Sequence, residues 1–595
     1  MLRFITVATV FALAGCPALI EVPCASNADC DLKPGGMCLA ADTGQSWCAF
    51  PDSACDSGLR YSDDNVGDGL SGTCSAPTTN AQMVTLTVTV AGSGLGSVTS
   101  SPPGISCSAG TCSAMFDAGT AVTLTQNAST GAFLGWTSAC RGTDACTVTL
   151  SSTQKVGAMF GTKGEVLWTK LVASDGADWG HGVVTTADGD VVTTGQFAGT
   201  MQLDAVTLQS GGTSISNAYI AKFDGLTGKT IWAKSFPVDE ASQIATDGDS
   251  LYLTGVYTGT IQIGAAVLGS LGGDDTFVAK LSAAGEPQWA VGVGGSGTEH
   301  PYAITVSNGV VAFVGNETNG ITIGSTSYPA SGTYSNGFVA ALDATTGDVK
   351  WSRDFTANGV TTHAQAVFAG STVLVGGDFS GAIDFGAGLV APGGTDAFVA
   401  RYALDDGALA NVSHWGSSGS GATISAVTQD VAGNIVAAGS FSGTLTVNGA
   451  MYTAAGADDA FVVNYNGSTN NWMARWPMST GALVWPTSIA LGINDIAIGG
   501  NFCKGTLYIG ATTLTGVSCT VQNVLRTGFL VRMRNDGSTY LAVHSLGTYG
   551  WTDAVGRASD DRVFATGKFQ SALRLDAQTV LVVGADDAYV LAMAP

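Results

Sequence analysis

Along most of the chain apolar residues alternate with polar ones in short runs. No long stretch keeps a 3.6-residue apolar period, so strands are predicted and almost no helix outside an apolar leader. One phrase recurs. Residues 191–200 read as an apolar run, Gly195, one residue, an aromatic, one residue, then Gly199-Thr200. The phrase returns at 251–260 around Gly255, 373–382 around Gly377, 435–444 around Gly439, 496–506 around Gly500 and 563–572 around Gly567, with a worn copy around Gly315. The seven glycines are spaced 60, 60, 62, 62, 61 and 67 residues apart.

Each copy divides alike. A first short strand ends in a turn such as Asp188-Gly189, Asp247-Gly248 or Asn308-Gly309. A second strand carries the glycine, where a missing side chain lets another backbone approach or the strand bend. A polar connection rich in Gly and Thr follows. The third strand is strongly marked, as in Ala218-Tyr219-Ile220-Ala221-Lys222, Thr276-Phe277-Val278-Ala279-Lys280 and Ala397-Phe398-Val399-Ala400-Arg401. The fourth often carries Trp (Trp232, Trp289, Trp351, Trp472, with Tyr540 in place), and the fifth copy is read as lacking it. Seven four-stranded units point to a propeller, and the period fits neither WD40 nor kelch. The seventh copy ends at Pro595 just after its third strand, while an orphan strand at 165–170 precedes the first copy. That strand is expected to complete the seventh blade and close the ring, which removes exposed edges.

These features resemble the seven-bladed β-propeller repeats of bacterial secreted proteins, carried by the Gly-x-Phe-x-Gly phrase, the strand at 394–400 and the Trp strand. That family brings no catalytic residues to carry over. The Thr-Gly…Trp endings, as in Thr227-Gly228 with Trp232 and Thr346-Gly347 with Trp351, also resemble quinoprotein propellers. Those use eight blades and adjacent cysteines, and this chain has seven copies and no adjacent pair, so no quinone cofactor is expected.

Composition agrees with an all-β fold. Of 595 residues 82 are Gly, charged residues are 12%, and hydrophobic content of 45% excludes a disordered chain. The net charge of -23 argues against nucleic acid, whose phosphates need clustered Lys and Arg.

Before the repeats lie three further segments. Residues 1–15 form a basic start and an apolar run too short to span a bilayer, ending in Leu13-Ala14-Gly15-Cys16. This resembles the lipobox of bacterial lipoproteins, which implies cleavage before Cys16 and a lipid on that residue. Pro17 is not the Asp of inner-membrane retention, so the outer membrane or cell surface is expected. In 16–80, Cys24, Cys30, Cys38, Cys48, Cys55 and Cys74 stand among Gly, Asp and Ser, too little apolar material for a core. Disulfides of open connectivity are expected to staple it. No Cys-x2-Cys pair or His favours zinc there. The segment resembles Cys-rich stalks of bacterial lipoproteins. Residues 82–162 resemble a divergent internalin-type B repeat, carried by Gly94-Leu95-Gly96, Gly119-Thr120, Gly135-Trp136 and Phe160. Spacing there suggests Cys107–Cys112 and Cys140–Cys146, or pairing across the two sets, with Trp136 as core. Cys503 and Cys519 flank the polar connection of the sixth copy and are expected to pair.

The loops between one copy's fourth strand and the next copy's first gather at one propeller face. They hold Asp178, Trp179, His181, Asp239, Glu240, Glu299, His300, Tyr302, His363, Trp485, Tyr549, Trp551 and Asp553. Aromatic faces beside carboxylates suit a sugar, since rings stack on C–H faces and acids take hydroxyl hydrogen bonds. His181, His300 and His363 fall near corresponding positions, but copies one and three are not neighbours, so no metal site is expected. Asp188-Gly189-Asp190 and Asp247-Gly248-Asp249 read as turns rather than Ca2+ loops, lacking the fuller run of oxygen ligands. Asp274-Asp275, Asp458-Asp459 and Asp586-Asp587 read as strand-entry turns or edge protection by charge. No Gly-x-Ser-x-Gly elbow or His-Glu-x-x-His motif stands in the chain. The expected function is a non-catalytic binding or adhesion platform for glycan or protein, anchored by lipid. The alternatives are a polysaccharide hydrolase or lyase and a purely structural envelope protein.

Overall fold

The computed structural model describes residues 22–41, 44–64, 66–75, 83–330, 335–355, 361–416, 421–519, 526–570, 572–575, 578–581 and 586–595. The leader and Cys16 lie outside the described residues. The chain divides into two compact units. The first comprises Met1–Thr85 with Met115–Thr120 and Leu150–Ser152, and the second comprises the rest. The sole helical element among the described residues is a 3-10 turn, Asn27–Asp29. No helix there is long and apolar enough to cross a membrane.

The first unit is built on a small antiparallel sheet of Met37–Ala40, Ser46–Pro51 and Leu59–Tyr61. Trp47, Ala49 and Tyr61 supply its few buried side chains. Cys24–Cys38, Cys30–Cys48 and Cys55–Cys74 cross-link it. Each closes a loop of 14 to 19 residues, which constrains the unfolded chain where no large core is available.

In the second unit Leu95–Ser101 pairs with Ala121–Thr130, and Gln154–Gly161 pairs in parallel with Met83–Ala91 over Leu86 to Ala91. Cys107 is bonded to Cys112 and Cys140 to Cys146. Trp136 is buried, its indole N–H donating to the Asp144 carbonyl.

From residue 166 onward the chain makes seven four-stranded antiparallel sheets, the blades of a β-propeller. Blade one is Asp178–Thr185, Val191–Ala198, Ser216–Phe223 and Thr230–Phe236. Blade two is Glu240–Thr246, Ser250–Tyr257, Asp275–Ser282 and Pro287–Val293. Blade three is Glu299–Ser307, Val310–Thr318, Ser335–Asp343 and Val349–Asp354. Blades four, five and six begin at Thr362–Ala369, Ala422–Gln429 and Leu483–Leu491. Blade seven runs Ala554–Arg557, Val563–Phe569 and Asp587–Met593, and its fourth strand is Val166–Val172, from before blade one. Thr185 of blade one donates its hydroxyl to the Arg557 carbonyl of blade seven. One cavity of about 300 Å³ is lined by residues of all seven first strands, among them Val183, Ile244, Ile304, Val367, Val427, Ile489 and Val555.

Buried apolar side chains lie chiefly between blades. Val192 and Ile220 of blade one pack with Ile244, Leu253 and Phe277 of blade two. Trp168, Phe564 and Val590 of blade seven pack with Val191 and Tyr219 of blade one. The fourth-strand Trp of one blade covers the turn glycine of the next: Trp168 on Gly228, Trp232 on Gly285, Trp289 on Gly347, Trp351 on Gly407. Register corrects which copy lacks the Trp: blade five, expected to lack it, carries Trp472 opposite Asn464. Blade four has Asn411 at the position, and blade six has Ala542, with Tyr540 two residues earlier.

The polar connections hold a feature their composition hides. Each contains a two-stranded hairpin, as in Thr200–Leu203 with Val206–Gln209 and Thr444–Val447 with Ala450–Thr453. Alternate residues such as Met201, Leu203, Leu445 and Val447 are fully buried. In blade six Cys503–Cys519 closes this excursion.

The second acid of each pair before a third strand is not an edge charge. Asp275, Asp459 and Asp587 are completely buried. Asp459 accepts the N–H groups of Ala455, Gly456 and Met478, so it fixes the loop that enters the strand.

Candidate functional site

The repeated glycine builds the site indirectly. A Cβ at Gly195 would lie 1.8 Å from the Trp179 carbonyl oxygen, one at Gly377 1.8 Å from that of His363, and one at Gly439 1.9 Å from that of Thr423. Only glycine lets the first strand come this close. At that point the first strand bulges. Register shifts fall between Gly180 and Gly182, Ala241 and Gln243, Pro301 and Ala303, Ala364 and Ala366, Ile424 and Ala426, and Pro486 and Ser488. A bulge leaves one residue unpaired and re-aims its side chain.

The skipped residues are His181, Ser242, Tyr302, Gln365, Ser425 and Thr487. Asp553 occupies the place in blade seven, its N–H on the Thr566 carbonyl just before the first strand. All seven are polar, and all seven line one pocket of about 500 Å³ at the axial mouth. Trp179, Glu240, His300, Thr423, Trp485 and Arg526 complete the wall.

The wall is electrostatically mixed. The Trp179 indole N–H donates to Asp553 and its ring stacks on His181 with centroids 5.0 Å apart. The Lys568 ammonium sits 3.6 Å from the Trp179 ring centroid and 4.8 Å from that of Trp551, held by Asp586 at 3.0 Å. The Arg526 guanidinium lies 4.5 Å from the Trp485 centroid, and among the described residues its Nε has no hydrogen-bond partner. Burial pushes the Asp553 carboxyl up, against the pull of His181, the Trp179 N–H, Lys568 and Arg526. His181 Nε2 is 3.6 Å from Glu240, which accepts a hydrogen bond from Ser242 at 2.7 Å.

Of the residues singled out from sequence, Trp179, His181, Glu240, His300, Tyr302, Trp485 and Asp553 meet in this pocket. Asp178, Glu299, His363 and Trp551 are not among its lining residues. Asp178 is 1% exposed and ties down the preceding loop, accepting the backbone N–H of Ser174 at 2.6 Å and its hydroxyl at 2.7 Å. Burial raises its pKa to about 7 despite those bonds. Glu299 is fully buried and accepts the Gly295 N–H. Burial, and next the Asp275 carboxyl, raise it to about 9. His363 is bound by Asp378 at 2.9 Å, which raises its pKa. Trp551 lies beneath Lys568 and is 6% exposed. The histidines each face their own carboxylate, His300 lying 3.7 Å from Asp274. Among the described residues the one three-residue group with metal-ligand spacing is Cys24, Cys30 and Cys48, all disulfide-bonded.

Sequence reading missed Ser242, Gln365, Ser425, Thr487 and Arg526. A signal for the first four was present. The bulge residue precedes each repeated glycine by 12 to 14 positions, from Gln365 before Gly377 to His181 before Gly195. Arg526 follows a stretch with no such regularity.

No protein-family model matches the chain, and no curated protein does. Among solved structures it is similar to BamB from Moraxella catarrhalis, at 10% identity over 72% of this chain and 99% of that one, with a TM-score of 0.34. It is also similar to the WD40 beta propeller domain of Doa1, at 9% identity over 73% and 97% with a TM-score of 0.37. A third is the quinohemoprotein alcohol dehydrogenase from Comamonas testosteroni, at 14% identity over 71% and 76% with a TM-score of 0.32.

Proposed function

We propose that this protein is an exported, lipid-anchored binding platform whose propeller holds a glycan, without catalysis, at its axial mouth. The observation that carries this reading is the ring of seven polar bulge residues around a single pocket flanked by Trp179 and Trp485. Ser, Thr and Tyr hydroxyls and the Gln365 amide both donate and accept hydrogen bonds, as sugar hydroxyls do. An indole face covers the C–H face of a pyranose. The pocket volume falls in the range of small-ligand sites. Export is supported by six disulfides, which persist in oxidising compartments. Anchoring is supported by the Leu13-Ala14-Gly15-Cys16 sequence.

The test is a glycan array probed with the detergent-extracted full chain and its Trp485→Ala variant. A set of related glycans should be retained by the wild type and lost or weakened about tenfold by the variant, the order of one removed stacking contact. Equal binding by both, or release of cleaved product, overturns the reading. Cys16→Ser should move the protein from the membrane to the soluble fraction.

A further inference from the structure

The acids at the blade junctions differ in one telling respect. In blade four Asp396 begins the third strand, 3% exposed, and His414 on the fourth strand pairs with it at 2.8 Å. In blade five Asp459 holds the same place, and Arg475 lies 3.8 Å away. His414 and Arg475 are register equivalents, opposite Phe398 and Phe461. The blades that follow open on apolar Ala422 and, beside Trp485, Val484.

Blade two has the acid without the base. Asp275 is completely buried in the same pose, its Oδ1 where a Cβ on Gly294 would fall, as Asp396 Oδ1 is for Gly416. The residue opposite Phe277 is Gly292. The next blade opens on Glu299, also completely buried and within hydrogen-bonding reach of Asp275. Asp275 Oδ2 accepts the Leu271 N–H and Glu299 Oε2 the Gly295 N–H, while among the described residues Asp275 Oδ1 and Glu299 Oε1 take no N–H or hydroxyl donor. Glu317 stands directly across from Glu299 on the neighbouring strand. Among the described residues no Lys, Arg or His pairs with any of these three.

Two buried carboxylates without a counter-charge are costly, and a single shared proton leaves one negative charge in place. Where blade four sets His414 and blade five sets Arg475 against the acid, we infer that the junction of blades two and three takes a divalent cation, held by Asp275 and Glu299. The donors are all hard oxygens, which selects Ca2+ or Mg2+ over softer metals, and an irregular loop junction suits the flexible geometry of Ca2+ better than the strict octahedron of Mg2+.

The probe is Ca2+ alone, added to full-length protein stripped with chelator, with Mg2+ in parallel. Equilibrium dialysis should find Ca2+ bound to the wild type, and the thermal midpoint should rise by about 5 °C at saturating Ca2+, because the ion binds the folded state selectively. Glu299→Gln and Asp275→Asn should each abolish the bound ion assigned here and the shift, while both variants retain native near-UV dichroism. A wild type that binds no Ca2+, or variants that bind and respond as the wild type does, overturns the inference. So does a Glu299→Gln variant that is stabilised while the wild type ignores Ca2+, the behaviour of a pair sharing a proton. If a variant fails to fold, dialysis and the midpoint of the wild type alone still decide, since both must respond.

Discussion

Replacing Trp168 by alanine should cost as much as the same change within an uninterrupted blade. Trp168 lies on the strand that comes from before blade one to complete blade seven. It is 9% exposed, packs with its ring centroid 6.0 Å from Phe564, covers Gly228 and donates its indole N–H to the Gly225 carbonyl at 3.1 Å. Trp351 of blade three is 8% exposed, sits 5.8 Å from Tyr402, covers Gly407 and donates to the Leu404 carbonyl at 3.0 Å. The two environments share burial, the covered turn glycine and the indole N–H bond to the next blade, while the aromatic neighbour lies in the same blade for Trp168 and in the next for Trp351. Truncating a buried Trp costs about 3–5 kcal/mol, mostly lost contacts and the cavity left behind. Urea unfolding of Trp168→Ala and Trp351→Ala, followed by near-UV dichroism, should give losses within about 1 kcal/mol of each other, inside the spread for one substitution type. The reasoning fails if Trp168→Ala stays within about 0.5 kcal/mol of wild type, the range of an ordinary surface change, while Trp351→Ala is strongly destabilised.

Gly377→Ala should destabilise by about 1–3 kcal/mol, an overpacking cost, because its Cβ would fall 1.8 Å from the His363 carbonyl oxygen. Urea midpoints measure this, and an unchanged midpoint removes the close approach as the reason for the glycine. The Asp178 pKa is raised to about 7 from 3.8, so the folded state holds its proton more tightly than the unfolded chain. Its contribution is therefore present at low pH and is lost as pH rises between about 4 and 7. Asp178→Asn, whose amide can donate to Ser174 Oγ and accept from its N–H, should flatten that decline in thermal midpoint. A variant with the wild-type pH profile contradicts the assignment.

The blades were readable in the chain because each repeats a hydrophobic signature. The third strand, the Gly phrase and the orphan strand at 165–170 all announce themselves by composition and place. The hairpins in the polar connections did not, since four-residue strands such as Thr444–Val447 bury only two side chains amid Gly and Thr. Half of the site was visible through Trp179, Tyr302 and Trp485, large aromatics expected in inter-blade loops, although the structure sets them on the first strands themselves. Ser242, Ser425 and Thr487 carry no chemical signal of their own. Their role comes from a bulge, a matter of register that a neighbouring glycine permits. Asp178 and Glu299 misled for the opposite reason: acids look solvated in a sequence, yet loop N–H groups draw them inside. Asp275 and Asp459 share that pattern, and what distinguishes them is the fourth-strand residue opposite and the residue that opens the next blade, Glu299 after Asp275 and Val484 after Asp459.

The most direct measurement is the structure of the protein bound to the glycan it retains best. The account predicts a sugar ring against Trp179 or Trp485 in the axial mouth, with hydroxyls hydrogen-bonded to bulge residues from several blades, among them Ser425, Thr487 and Asp553. A sugar seated on the outer hairpins or away from the axis, with the mouth unchanged, would contradict it.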